Sequence, residues 1–394
     1  MPKVLRIINR FNLGGITYNV SYLSRYLPER YETLLIGGPE EKDEESSLYI
    51  PHSLGLKPVV LQELKRSINP WQDYLAYRKI KTIIRDYQPD IVHTHASKAG
   101  FIGRIAAKHC GVPIIVHTFH GHVFSGYFSK VVTELIKGVE RCLARYCSAI
   151  VAISSEQKRQ LAIDHKICNP QKIKVIPLGF DLRRFSENQE EKRNSFRTRF
   201  GINEDELAIG IIGRLAPIKN HRLFIDAVVH ASHHCSKKIR AFIIGDGKTR
   251  HELETYINEK SHALASFAGQ SNLFTFTGWI KEADVALAGL DLVCLSSKNE
   301  GTPVSLIEAQ ATGRFIISTN VGGIKDILHP ECGLLSEAGD ENAFHKNVLN
   351  AIVNYKTYKA NAGKAQKEVL EKFSYTRLCS DMSQLYDSLL SQKK

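Results

Sequence analysis

The chain has 394 residues, more than one hydrophobic core usually supports, and its 43% hydrophobic and 24% charged residues suit an ordinary globular protein rather than a disordered one. No apolar run approaches the roughly 18 residues of a membrane span, and the N-terminal run is too short for a signal peptide, so the sequence predicts a cytoplasmic protein. The formal charge is +12, and residues 1–170 carry +8 of it, with 23 Lys and Arg against 15 Asp and Glu.

This basic excess could attract nucleic acid, an anionic membrane surface or a phosphorylated substrate. The chain has no nucleic-acid recognition motif and no lysine block with interleaved aromatics, which argues against nucleic acid. Eight cysteines are scattered without a Cys-x-x-Cys pair or a zinc spacing, and we expect free thiols.

Short apolar strands alternate with amphipathic helices along the whole chain, a pattern typical of parallel sheets covered on both faces. In the first half, strands are predicted at 3–8, 33–36, 59–61, 91–95, 113–118, 149–153 and 174–177. The polar stretch 186–194 is interpreted as a linker, after which the alternation resumes. Second-half strands are predicted at 208–213, 241–244, 273–277, 292–295, 315–318 and 333–335.

The predicted fold is therefore α/β, with two Rossmann-like, doubly wound domains at 1–185 and 186–372. Two such sheets in tandem would leave a central cleft between them, and ligands of these sheets bind at the carboxyl ends of the strands.

Several unusual segments follow predicted strands in the first half. Gly14 and Gly15 come after the first strand, where they could let backbone approach a ligand or could serve only as a turn. Histidines cluster at 93–95 and 117–122. They lack the spacing of known zinc motifs, and we interpret a strand-end histidine such as His120 as a hydrogen-bond donor or proton handler.

The segment 128–147 combines apolar and basic residues at helical spacing. Its apolar members are Val131, Leu135, Val139 and Leu143, and its basic members are Lys130, Lys137, Arg141 and Arg145. This helix could lie against anionic lipid, or it could cover a sheet with its charges in water.

In the second half, Arg214 and Lys219 lie five residues apart in the loop after the strand at 208–213. Such a pair could clamp a diphosphate, although two cations in a surface loop are common. The turn Gly245, Asp246 and Gly247 follows the next strand and could touch a ligand edge through its backbone.

The most informative stretch is 299–308, where Glu300 and Glu308 flank a predicted helix start. Thr302 is predicted as the N-cap and Pro303 as the first helical position. Glu308 falls within the apolar stripe of that helix and needs a polar partner. The partner could be a core Arg or Lys, or a polyol ligand, with a phosphate bound at the helix start.

Taken in order and spacing, these segments resemble the retaining GT-B glycosyltransferases of family 4, of the bacterial surface-polysaccharide type, over nearly the whole chain. The segments that carry the resemblance are Gly14-Gly15, Thr118-Phe119-His120-Gly121, Gly213-Arg214 with Lys219, Gly245-Asp246-Gly247, Phe276-Thr277-Gly278 and Glu300 to Glu308.

The resemblance implies a role for each of these residues. Arg214 and Lys219 would hold the donor diphosphate, Glu308 the ribose hydroxyls and Glu300 the donor sugar, with His120 beside the anomeric carbon. The remaining donor-binding positions implied are Gly14, Gly15, Gly245, Asp246, Gly247, Gly278, Gly301, Thr302 and Pro303. It also implies a C-terminal helix, within 373–394, that crosses back onto the N-terminal domain.

The implied reaction moves a hexose or N-acetylhexosamine from a nucleotide sugar to a glycan or lipid-linked acceptor in polysaccharide biosynthesis. The resemblance favours a UDP-sugar as donor, although GDP-sugars also occur in the family. No cofactor and no metal are expected, because fixed cations and a helix N-terminus would stabilise the departing diphosphate. The resemblance also implies that the acceptor attacks from the face that the diphosphate leaves, so no separate nucleophile is expected. Peripheral attachment to the cytoplasmic face of a membrane would fit the basic first half. Two alternatives remain: a nucleotide-sugar 2-epimerase of the same architecture and a non-catalytic binding partner.

Overall fold

A computed structural model describes residues 1–12, 15–41, 46–65, 67–121, 124, 129–265 and 273–393. Contacts divide the chain into two units, Met1–Phe180 with Lys372–Lys394 as unit 1 and Asp181–Glu371 as unit 2. Among the described residues, no helix is both long enough and apolar enough to cross a bilayer. All eight cysteines are free thiols, as expected.

Unit 1 is built on a parallel sheet. Its described strands are β1 Lys3–Arg10, β2 Glu32–Gly38, β3 Val59–Val60, β4 Ile91–His95, β5 Ile114–Phe119, β6 Ala149–Ala152 and β7 Ile173–Val175. They lie in the order β3-β2-β1-β4-β5-β6-β7. The α-helices of the first 180 residues are α1 Gly15–Tyr26, α2 Tyr49–Ser53, α3 Pro70–Tyr87, α4 Ser97–His109, α5 Lys130–Tyr146 and α6 Ser155–Arg159.

Unit 2 repeats the plan. Its described strands are β8 Glu206–Ile212, β9 Lys238–Ile244, β10 Phe274–Gly278, β11 Leu292–Leu295, β12 Phe315–Asn320 and β13 Gly333–Glu337, in the order β10-β9-β8-β11-β12-β13. The accompanying helices are α7 Arg183–Ser186, α8 Gln189–Arg199, α9 His221–His234, α10 Arg250–Ala265, α11 Ala283–Gly289, α12 Val304–Ala311, α13 Ile324–Ile327, α14 Glu341–Val353 and α15 Tyr355–Lys372.

The final helix, α16 Tyr375–Ser391, belongs to unit 1. Its apolar side is buried in one core with α1, and includes Leu378 and Tyr386. Arg377 at its start donates from Nη2 to the carbonyl oxygens of Pro177 and Leu178, at 2.9 and 2.7 Å. The C-terminal segment therefore covers the same face of the unit 1 sheet as α1.

The opposite face of that sheet is covered by α3, α4 and α5. Their buried side chains share a second core with strand residues, and examples are Ile80 of α3, Ile102 of α4 and Ala144 of α5. Helices on both faces explain why β4 is buried at each of its five positions.

The predicted strands all form, with ends that move by up to three residues. The linker prediction was wrong in part, because residues 189–199 form α8 and bury Phe196 and Arg197. The helix was missed because its sequence is mostly polar and one of its buried side chains is an arginine. Arg197 donates from Nη1 to Asp291 at 3.2 Å, so a buried ion pair, together with Phe196, anchors this helix.

Candidate functional site

The strand order of unit 2 creates a switch point between β8 and β11. Successive strands run in one direction from β8 and in the other from β11. The loops that leave the carboxyl ends of these two neighbours therefore diverge, and open sheets of this kind bind ligands in the crevice that results. The first loop carries Arg214 and Lys219, and the second carries Glu300.

Lys219 and Glu300 meet at this point. The Nζ of Lys219 lies 2.6 Å from Oε1 of Glu300, and the side chains are 24% and 11% exposed. Ser297 donates its hydroxyl to the same oxygen at 2.5 Å. Within the described part of the chain, Oε2 of Glu300 receives no hydrogen bond. One carboxylate oxygen is thus used to hold a lysine, and the other remains able to accept a ligand hydroxyl.

Backbone contacts fix the two loops to each other. The hydroxyl of Ser296 donates to the carbonyl oxygens of Lys219 and Asn220, at 3.0 and 2.9 Å. The amide of Lys298 donates to the carbonyl oxygen of Ile218 at 2.8 Å. The position of the Lys219 ammonium is therefore set by the loop that carries Glu300, which is the kind of preorganisation an electrostatic site requires.

Arg214 is the second cation of the loop. Its side chain is exposed and makes no hydrogen bond or ion pair with any residue that the structure describes. A guanidinium in this state can turn toward an anion and bind two of its oxygens at once.

The helix start after Glu300 differs by one position from its prediction. α12 begins at Val304, Pro303 occupies the N-cap with φ −71° and ψ 110°, and Thr302 is not the cap. Pro303 keeps extended backbone instead of taking helical angles, so the chain turns helical one residue later. No side chain caps α12 among the described residues, and its first N–H groups can receive an anion.

Glu308 lies one turn into α12, and its side chain is 20% exposed. Arg184 is the single described cation within ion-pair distance, with Nη2 4.0 Å from Oε1, and it is half exposed itself. The pKa of Glu308 is raised to about 7, mainly because the carboxyl is buried. Arg184 opposes this rise, and the carboxylate of Asp284 adds to it. The interpretation as a tight bridge to a core Arg or Lys is therefore wrong, and the carboxyl lacks a strong partner.

The glycine turns of unit 2 allow neighbouring loops to approach closely. Gly245 has φ +134°, and a Cβ there would lie 2.1 Å from the carbonyl oxygen of Gly213. Gly245 also donates its amide to the carbonyl oxygen of Gly278 at 2.9 Å. The loops after β8, β9 and β10 are thereby brought together at the carboxyl ends of the strands, where a ligand is expected to bind.

Asp246 and Gly247 complete that turn. The carboxylate of Asp246 accepts the amide of Gly247 at 2.7 Å on Oδ1 and Nη1 of Arg250 at 2.9 Å on Oδ2. The side chain of Asp246 thus orders the turn, and a ligand would meet the backbone here.

Gly301, Thr302 and Pro303 line the approach to α12, and the loop after β12 supports them. The amide of Gly323 donates to the carbonyl oxygen of Gly301 at 2.9 Å. A Cβ at Gly322 would lie 1.8 Å from the carbonyl oxygen of Glu300, so this contact tolerates only glycine.

In unit 1, Gly15 opens α1, whereas Gly14 lies outside the described residues. His120 follows β5, with its Nε2 3.0 Å from Nδ1 of His95. Desolvation lowers the pKa of His120 to about 4. The imidazole is therefore neutral at pH 7 and is available for hydrogen bonding rather than as a cationic acid.

His93, His95 and His117 are buried, and desolvation holds the pKa of each well below its usual range. His122, also in the predicted cluster, lies outside the described residues. His93 bonds the hydroxyl of Tyr386 through Nδ1 at 2.5 Å and that of Thr118 through Nε2 at 2.7 Å. Its role is thus to join α16 to the sheet. No cluster of three or more His, Cys, Asp or Glu able to hold a metal occurs within the described ranges.

Sequence reasoning missed Ser297 and Arg184 as neighbours of the two glutamates. The paired serines at the end of β11 were a usable signal, since hydroxyls at a strand end often orient a carboxylate. Arg184 offered none, because it is distant from Glu308 in the chain and no motif links them.

Comparison with known proteins bears on this site. A family model described as Glycosyltransferase Family 4 matches residues 13–184, and one described as Glycosyl transferases group 1 matches residues 206–354. The UDP-Gal:alpha-D-GlcNAc-diphosphoundecaprenol alpha-1,3-galactosyltransferase of Escherichia coli is 28% identical over 84% of this chain and 83% of its own length. The capsular polysaccharide biosynthesis glycosyltransferase CapM of Staphylococcus aureus is 24% identical over 84% and 85%.

Solved structures share the fold. Anabaena HepE in complex with UDP superposes with a TM-score of 0.80, at 19% identity, over 98% of this chain and 100% of that one. Sucrose-phosphate synthase from Thermosynechococcus elongatus gives a TM-score of 0.76, at 19% identity, over the whole of both chains. With two family models that together cover most of its length and two Rossmann-like sheets of matching topology, the chain belongs to the family 4 glycosyltransferases of GT-B fold.

Proposed function

We propose that the chain is a retaining glycosyltransferase of bacterial polysaccharide biosynthesis that needs no metal ion and no cofactor. It moves a hexose or N-acetylhexosamine from a UDP-sugar to a glycan or lipid-linked sugar. The observation that carries the proposal is the Lys219–Glu300 pair at the switch point of unit 2. The names of the Escherichia coli relative and of the HepE complex support UDP as the nucleotide.

In this proposal unit 2 holds the donor and unit 1 the acceptor. Glu308 accepts the ribose hydroxyls, and the free Oε2 of Glu300 accepts a hydroxyl of the sugar. Arg214, Lys219 and the first amides of α12 contact the diphosphate. Gly301, Thr302 and Pro303 lie against the sugar and phosphate, and the turn at 245–247 with Gly278 lies beside the base.

The chemistry follows from where charge develops. As the bond between the anomeric carbon and the diphosphate breaks, negative charge grows on the leaving oxygen, and fixed cations there stabilise the transition state more than the ground state. The acceptor hydroxyl attacks from the face that the diphosphate leaves and passes its proton to a diphosphate oxygen. Configuration is retained, and no separate base is required. We also propose that the neutral His120 serves as a hydrogen-bonding group for the reacting sugar, the role that the family resemblance implies beside the anomeric carbon.

The location proposed is the cytoplasm, with attachment to the inner leaflet where a lipid-linked acceptor would be found. The net positive charge of the first 170 residues supports that attachment.

A transfer assay tests the proposal. The full chain is incubated with each UDP-sugar and a panel of oligosaccharide and diphospholipid-linked acceptors, and the product linkage is read by NMR. We expect transfer with the anomeric configuration of the donor, and release of UDP. An inverted linkage would refute retention, and a sugar epimer formed without acceptor would identify an epimerase. Binding of UDP-sugars without turnover for every acceptor would favour a non-catalytic partner.

A further inference from the structure

The helix α5 exposes apolar side chains on its outer surface. Val131 is 81% exposed and Leu135 is 68% exposed, and Val132 and Val139 are also solvent-accessible. Of the four apolar residues that recur at helical spacing in this segment, only Leu143 enters the core. The apolar stripe expected to cover the sheet therefore faces outward over most of its length.

A buried ion pair fixes this orientation. Glu140 points inward from α5 and accepts Nη2 of Arg104 on both carboxylate oxygens, at 3.0 and 2.8 Å. Both side chains are almost fully buried. Rotating α5 to bury Val131 and Leu135 would separate these charges in a dry environment, which is strongly unfavourable. The exposed stripe is thus a property of the folded unit.

The apolar surface extends beyond α5. A groove of about 380 Å³ lies between α4 and α5, and its lining includes Phe101 and Tyr146. On α3, Trp71 is 66% exposed and its ring lies 6.0 Å from that of Tyr74. Aromatic side chains with one polar end favour the boundary between lipid and water.

Basic residues border the stripe. At roughly 100° per residue, Lys130, Arg141 and Arg145 fall on the side of α5 adjacent to Val131. The acidic residues of α5 are already neutralised, since Glu140 is held by Arg104, and Glu134 lies 2.8 Å from Lys137 and 3.8 Å from Arg141. The outer face of α5 therefore combines apolar side chains with net positive charge, which matches the headgroup region of an anionic bilayer.

We propose that this face of unit 1, the α3–α5 surface formed by Trp71, Tyr74, Phe101, Val131 and Leu135 with the bordering basic residues, seats on an anionic lipid bilayer. Val131 and Leu135 enter the boundary between headgroups and acyl chains, and the cations contact lipid phosphates.

The surface lies toward the ligand edge of the sheet. Lys98, the second residue of α4, is 2.5 Å from Asp73 in the first turn of α3, and α4 begins directly after β4. The first turns of these helices therefore lie near the carboxyl ends of the strands, where His120 also lies. If the proposed function holds, a membrane at this surface would present a lipid-linked sugar to that edge. The lipid binding itself does not depend on the function.

Vesicle cosedimentation of the full chain tests the proposal without donor or acceptor. We expect binding to vesicles of phosphatidylcholine mixed with phosphatidylglycerol and much weaker binding to phosphatidylcholine alone. The double variant Val131→Ser, Leu135→Ser should bind the mixed vesicles about tenfold more weakly or worse, because both substitutions remove apolar groups that would be buried in the bilayer. Lys130→Ser with Arg145→Ser should weaken vesicle binding by about tenfold or more and reduce its salt dependence. Val353→Ser, at an exposed valine of unit 2, is the matched control and should bind like wild type.

Equal binding by wild type and the Val131→Ser, Leu135→Ser variant would overturn the proposal, as would failure of wild type to bind mixed vesicles. A wild-type dimer that this variant dissociates, with vesicle binding unchanged, would assign the surface to a second copy of the chain instead. Unaltered thermal unfolding of the variants confirms that they fold. If the protein shows no transferase activity but its vesicle binding follows these expectations, the proposed function is wrong and the proposed lipid binding of the α3–α5 surface is still supported.

Discussion

Replacing Glu308 by Gln should make the protein more stable above neutral pH while weakening its binding of UDP. The side chain sits one turn into α12, 80% removed from solvent, and its best cation is 4.0 Å away. Burial has raised the pKa of the carboxyl from 4.5 to about 7. Glutamine keeps the shape and removes the ionisation.

The sign follows from proton linkage. Between pH 4.5 and about 7 the folded protein holds a proton that the unfolded chain has released, so the free energy of unfolding falls as pH rises through this window. The two pKa values, 4.5 and about 7, bound the loss at about 3 kcal/mol, at 1.36 kcal/mol per pH unit. Partial exposure reduces this, and we expect Glu308→Gln to unfold roughly 5 °C above wild type at pH 8 and close to wild type at pH 5.

Thermal unfolding at several pH values, with and without UDP, measures both effects. Ribose hydroxyls that donate to Glu308 favour its carboxylate, and losing such charged hydrogen bonds should weaken UDP binding by about tenfold or more. If the variant is more stable than wild type and yet binds UDP less tightly, the Glu308 carboxyl serves ligand binding and not the stability of the fold. The reasoning would be refuted if the Glu308→Gln protein unfolded at a lower temperature than wild type at pH 8. It would also be refuted if the difference in unfolding temperature between the two proteins did not change with pH.

Four further predictions follow from the same geometry. Lys219→Ala and Glu308→Ala should each lower turnover by about 10²-fold or more, as when one preorganised contact is lost, whereas Lys238→Ala, at an exposed pair with Asp205, should match wild type in the same steady-state assay. Chelator should leave turnover nearly intact, and loss restored by one divalent ion would contradict the metal-free proposal. Arg104→Ala should lower the free energy of unfolding in urea by about 3 to 5 kcal/mol through an unpaired Glu140, and an effect below 1 kcal/mol would show that the pair is not buried in solution. In a thermal-shift screen UDP should raise the melting temperature more than GDP or ADP, and a larger shift with GDP would reassign the donor base.

Strand positions were readable from sequence because a strand buried on both faces is often a continuous apolar run, as in Leu292–Leu295. The polar segment around Gln189, by contrast, was predicted as a linker although it forms a helix. Its helix is anchored by arginines on Asp291, and periodicity of apolar residues cannot detect such an anchor.

The site was predictable as far as it follows from strand ends. Lys219 and Glu300 lie 81 residues apart, yet both follow strands that neighbour each other at the switch point, so the topology brings them together. The sequence could not show that they pair directly, nor that Glu308 lacks a close cation. Those outcomes depend on side-chain geometry in loops.

The outward face of α5 was the least predictable feature. A helical stripe of Val131, Leu135, Val139 and Leu143 ordinarily indicates an inner face, and the sequence left open whether it meets a sheet or lipid. The deciding contact is the Arg104–Glu140 pair, which joins two helices through charge and sets the rotation of α5.

A crystal structure of the full chain with UDP tests the central claim most directly. We predict ribose hydroxyls within hydrogen-bond distance of the Glu308 carboxylate and diphosphate oxygens in contact with Lys219 and Arg214, at the carboxyl ends of β8 and β11. UDP bound elsewhere, or bound with those three side chains directed away from it, would contradict the account.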